Sequence, residues 1–78
     1  MHIAVDVRAG DPKATWAFHN GLGALYFELG RLDEARVEME KALTAARSMG
    51  GSRVSGTLHN LGLIALHLGH IDDAERFL

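Results

Sequence analysis

The side chains in this sequence whose types could do chemistry are its five histidines and a run of carboxylates beginning at Asp33. Histidines can ligate a metal or shuttle protons, so their spacing is the first question. His59 and His67 are eight positions apart, about 12 Å along a helix at about 1.5 Å per residue, which is too far to share one ion. His67 and His70 straddle Gly69, and His19 falls in a different register from His59. A semi-buried His19 with surface histidines elsewhere is the expected outcome, and no metal site is expected. Asp33, Glu34, Glu38 and Glu40 alternate with Arg36 and Lys41, the pattern of a solvated salt-bridge face.

Two glycine-rich stretches could cradle a phosphate or a nucleophile. Gly21-Leu22-Gly23 begins a dinucleotide fingerprint, but Tyr26 stands where the third glycine belongs and no strand precedes it. The stretch from Gly50 to Gly56 does not match the Gly-x-Ser-x-Gly elbow, and no lysine follows a phosphate-type loop. With no triad, dyad or ligand set converging, the expectation is a non-enzyme with no catalytic residue, cofactor or metal.

Composition narrows the partners. Eight basic and ten acidic residues give a net charge of −2, without the basic excess that neutralising nucleic-acid phosphates requires. The absence of cysteine excludes disulfides and thiolate metal sites and fits a reducing cytoplasm. The uncharged stretch from Leu58 to Ile71 is interrupted by His59, Asn60, His67 and His70. It is also shorter than the ~20 apolar residues a bilayer span needs. Asp6 and Arg8 break the apolar start, so no signal peptide is expected. No nucleic acid and no membrane are therefore expected among the partners.

The elements that position these residues are announced by an internal repeat. LGALYFELGRLDEA (Leu22 to Ala35) returns as LGLIALHLGHIDDA (Leu61 to Ala74), an offset of 39 residues. Leucine, glycine, aspartate and alanine recur at matched places, and Leu25/Ile64, Leu32/Ile71 and Glu34/Asp73 exchange similar side chains. Asp11-Pro12 signals a helix start, because the carboxylate can cap first-turn amides and proline tolerates the first helical position. An inner helix is expected from Pro12 to about Leu29, with Trp16, Leu22, Tyr26 and Leu29 as a stripe and Phe18 and Leu25 widening it onto a second face. Gly30 is its stop.

A second helix carries Leu32, Ala35, Met39, Ala42, Leu43 and Ala46 at helical spacing and ends at Gly50-Gly51. Ser52 is expected to cap a third helix to about Leu68, with Gly69 turning the chain into a fourth near Ile71. No strand pattern occurs. Gly23 and Gly62 sit mid-helix, where glycine costs up to about 1 kcal/mol, and close approach to Ala35 and Ala74 is the expected compensation. The chain reads as one all-α array: residues 1–10 as the tail of an earlier helix, 11–49 as a full repeat, and 50–78 as a truncated one.

These residues resemble the tetratricopeptide repeat. The family's pattern is met by Leu22-Gly23, Tyr26, Gly30, Asp33-Glu34-Ala35 and Ala42-Leu43, and again by Leu61-Gly62, Gly69 and Asp72-Asp73-Ala74. His19 and Leu58 replace the family's tryptophan, Ala65 replaces an aromatic, and Arg47 replaces the closing proline. The 39-residue period resembles the longer variants of kinesin light chains and of the sensor arrays of bacterial transcription regulators.

The resemblance implies an α-solenoid of stacked helix pairs whose concave face holds a peptide or helix of a protein partner. The implied groove positions are Asn20, Ala24, Phe27 and Glu28 in the first copy, then His59, Asn60, Leu63, Leu66 and His67 in the second. The competing reading of Phe27, Leu63 and Leu66 is burial against neighbouring helices. Lysines that would clamp a C-terminal carboxylate are replaced by Asn20 and His59. Because arrays usually need about three or more repeats with polar caps, the unpaired apolar residues Ile71, Ala74, Phe77 and Leu78 are expected to drive homo-oligomerisation. The alternatives to a binding scaffold are a structural oligomer and the sensor arm of a larger regulator.

Overall fold

The computed structural model describes residues 11–77, with side chains to residue 70. It contains three helices, α1 (Pro12–Glu28), α2 (Leu32–Met49) and α3 (Ser52–Phe77), and no strand among the described residues. The all-α, repeat-like architecture matches the sequence reading. The proposed helix tail at residues 1–10 and the side chains of Ile71, Ala74, Phe77 and Leu78 lie outside what is described.

Helix α1 begins as its sequence dictates. Asp11 Oδ1 accepts hydrogen bonds from the amides of Lys13 (3.1 Å) and Ala14 (3.3 Å), with Pro12 at the first helical position. Such a cap contributes about 1 kcal/mol. The helix ends in a Schellman motif: the Arg31 amide donates to the Tyr26 carbonyl (2.9 Å) and the Gly30 amide to that of Phe27 (3.1 Å). Gly30 has φ +78°, the left-handed backbone that glycine adopts without a Cβ penalty. The Arg31 guanidinium lies 5.3 Å from the centre of the Tyr26 ring and grips the Glu34 carboxylate through Nε (2.9 Å) and a second nitrogen. The hydrogen bond and charge of Glu34 raise the already high pKa of Arg31. One arginine thereby ties the last turn of α1 to the first turn of α2.

Helix α2 lies between the other two. Its buried residues, Leu32, Ala35, Met39, Ala42, Ala45 and Ala46, are those of the expected stripe with Ala45 in place of the half-buried Leu43. The alanines let α1 and α3 pack close, and Met39 fills the volume between them. Gly50 and Gly51, at φ +76° and +80°, turn the chain into α3. Ser52, expected as the cap, is instead the first helical residue.

Two expectations about α1 and the glycines change. Phe18, Leu25 and Leu29 are exposed, so α1 is covered on the side of α2 and α3 and not on the face these residues form. A Cβ on Gly23 would lie 2.9 Å from Met39 Cγ and 3.0 Å from its Cε. The close neighbour is thus Met39, one turn beyond Ala35. A Cβ on Gly62 meets nothing within 4 Å.

The reason lies in α3. It continues through Gly69 as one 26-residue helix, about 39 Å long at about 1.5 Å per residue, where the sequence predicts a turn. The residues that lock the Gly30 turn are altered in the second copy: Tyr26 becomes Ala65, Arg31 becomes His70 and Glu34 becomes Asp73. Without the arginine clamp, the helix-forming run after Ile71 continues the helix, and a single interior glycine costs only about 1 kcal/mol. No returning helix then lies on Gly62 among the described residues.

Candidate functional site

Helices α1 and α3 run parallel, joined near two ends of their shared length. Trp16 Nε1–H donates to Thr57 Oγ1 (2.9 Å), and the buried Thr57 hydroxyl donates to the Arg53 carbonyl (2.8 Å). The Arg53 guanidinium stacks 5.2 Å from the Trp16 ring centre. Further along, Phe27 and His67 meet edge to face with centroids 5.0 Å apart. His67 Nδ1 lies 2.8 Å from the Leu63 carbonyl oxygen, which can only accept, so Nδ1 is the donor.

Between these contacts is a cleft of about 130 Å³ lined by Ala24, Phe27 and Glu28 of α1, Met39 of α2, and Asn60, Leu63 and Ile64 of α3. Ala24 is small enough to leave the space unfilled. Met39 and Ile64, each 2% exposed, belong to the core cluster with Ala35 and form the floor. The sequence reading placed Met39 among the core residues of α2 and did not see that a core side chain can also be the base of a cleft. No periodicity distinguishes the two roles.

The structure brings Ala24, Phe27, Glu28, Asn60 and Leu63 together and sets His67 against Phe27. Asn20 is half-buried outside the lining, and His59 and Leu66 are exposed outside it. His19 is half-buried as expected, with Nδ1 2.7 Å from Glu38 Oε1. That contact draws Glu38 out of the solvated face: its side chain is 15% exposed and ties α2 to α1. Among the described residues no three metal-ligating side chains converge, and no helix is long and apolar enough to cross a membrane. The cleft offers shape, apolar surface, one amide and one carboxylate, which are the means of binding.

A family model for the tetratricopeptide repeat matches residues 14–78. The chain belongs to the tetratricopeptide repeat family. Tetratricopeptide domains generally mediate protein–protein interaction, and helix-pair arrays of this kind present extended surfaces suited to it. No curated protein and no solved structure gives a significant match to this tetratricopeptide chain.

Proposed function

We propose that the chain is a non-catalytic interaction module that holds a peptide or helix segment of a protein partner in the cleft between α1 and α3. The observation that carries this reading is the cleft itself, open at Ala24, apolar on its floor and edged by Glu28 and Asn60. Asn20, His59, Leu66 and His67 extend the contact surface beyond it. The net charge of −2 favours protein over nucleic acid as the partner, and the cysteine-free sequence supports a cytoplasmic setting. A photo-cross-linking residue at Leu63 should capture a heterologous protein that the same group at Glu40, on the outer face of α2, does not. Capture at Glu40 and none at Leu63 would move the binding surface away from the cleft.

A second reading, self-assembly of the repeats, is favoured by a different observation. Phe18, Leu25 and Leu29 on α1 are 52%, 51% and 60% exposed, and Leu58 and Leu66 on α3 are 47% and 54% exposed. The sequence-derived contact residues Ile71, Ala74, Phe77 and Leu78 would extend the α3 end of that interface. Leu66 belongs to both surfaces, so assembly through α3 and partner binding overlap there, while the α1 face of Phe18, Leu25 and Leu29 lies apart from the cleft lining.

A further inference from the structure

The lining of the cleft carries one charge and an apolar socket, and together they define a ligand. Phe27, Met39, Leu63 and Ile64 surround about 130 Å³, close to the ~150 Å³ apolar cavity that takes up a benzene molecule. This is room for one aliphatic or small aromatic side chain. Glu28 stands at its edge, exposed. Among the described residues no cation is within ion-pair reach of it: Arg31 is held by Glu34, while Arg36 pairs with Asp33 and Lys41 with Glu38. Arg53 is stacked on Trp16. Glu28 is also the last residue of α1, and that last turn has no basic residue. A carboxylate at the negative end of a helix dipole is disfavoured, and a cation there is favoured. Among the described residues Glu28 is therefore uncompensated, next to an apolar socket.

Resting on the cleft reading above, we infer that the preferred ligand is a protein segment that seats one aliphatic side chain in the socket and sets an adjacent lysine or arginine against Glu28. The aliphatic group supplies burial and the cation supplies register and selectivity, since charge complementarity chiefly discriminates between partners. A segment carrying aspartate or glutamate at that place meets both the carboxylate and the helix end and is rejected.

The test is selection of a random displayed peptide library against the whole chain and, in parallel, against Glu28→Lys. The parent should enrich peptides with a lysine or arginine beside an aliphatic residue. Exchanging that basic residue for glutamate in a selected synthetic peptide should raise its Kd about tenfold at low salt, and less at high salt. The Glu28→Lys selection should lose the basic preference and acquire an acidic one. Enrichment without basic residues, or an unchanged basic preference with Glu28→Lys, overturns the inference. Leu63→Asp separates the two levels of the argument. If it abolishes binding of selected peptides that show no basic preference, the cleft stands and only the cation requirement falls. If it leaves binding intact, or if no peptide is enriched at all, the cleft reading falls and the inference with it.

Discussion

Gly23 and Met39 show how one residue can be dictated by another that the sequence does not mark as its partner. A side chain at Gly23 would have to displace Met39 Cγ and Cε, and Met39 is 2% exposed with Ala35 and Ile64 packed around it. Overfilling a packed site of this kind costs roughly 1–3 kcal/mol, so Gly23→Leu should lower the urea midpoint by a corresponding amount. At Gly62 the same motif has open space, and Gly62→Ala should stabilise by up to about 1 kcal/mol through helix propensity alone. Opposite signs in parallel urea titrations are the expected result, and equal destabilisation at both glycines would contradict the structure. Sequence reasoning recognised that a mid-helix glycine implies close approach. It assigned the contact to Ala35 because the motif contains Ala35, whereas the face of α2 that reaches Gly23 carries Met39 one turn later.

At the level of elements, the boundaries of α1 and α2 were legible because each rests on a strong local signal. Asp11-Pro12 caps one start, Gly30 makes a Schellman stop, and Gly50-Gly51 ends the second helix. The stop at Gly69 was not, because a glycine permits a turn without enforcing one. In the first copy Arg31 bridges Tyr26 and Glu34 across the turn, and all three of these residues differ in the second. Restoring them gives a prediction. Spin labels at Leu58 and Arg76 in the parent should lie about 27 Å apart along a continuous helix of about 1.5 Å rise per residue. In an Ala65→Tyr, His70→Arg, Asp73→Glu background the distance distribution should shift to shorter values as the chain turns at Gly69. An unchanged distribution would mean that the clamp does not decide the turn. The cleft was legible in part: the resemblance to the repeat family implied Ala24, Phe27, Glu28, Asn60 and Leu63 as groove positions, but not the depth of Met39 and Ile64 beneath them.

The whole molecule has an imbalance that local patterns do not express. Helix α2 is buried along a continuous stripe, while its two partners each turn an apolar surface outward. On α1 that surface is Phe18, Leu25 and Leu29, with the half-buried Leu22 between them at helical spacing. On α3 the whole stretch from Val54 to Ile71 contains no lysine, arginine, aspartate or glutamate, so its outward side has neither charge to hold water nor a helix to cover it among the described residues. Exposed apolar side chains such as Leu58, where they form a contiguous surface, mark a contact site. The two surfaces lie on different helices of the array, so a contact of one with the other joins copies either reciprocally about a two-fold axis or head to tail. Sedimentation equilibrium should therefore give an average mass above the 8.5 kDa chain that rises with concentration. Leu25→Glu and Leu58→Glu, both at exposed positions, should each lower that mass while leaving the helical far-ultraviolet signal intact, since neither side chain contributes to the core around Met39. A parent chain that stays at the single-chain mass across the concentration series would show that these faces do not bind each other.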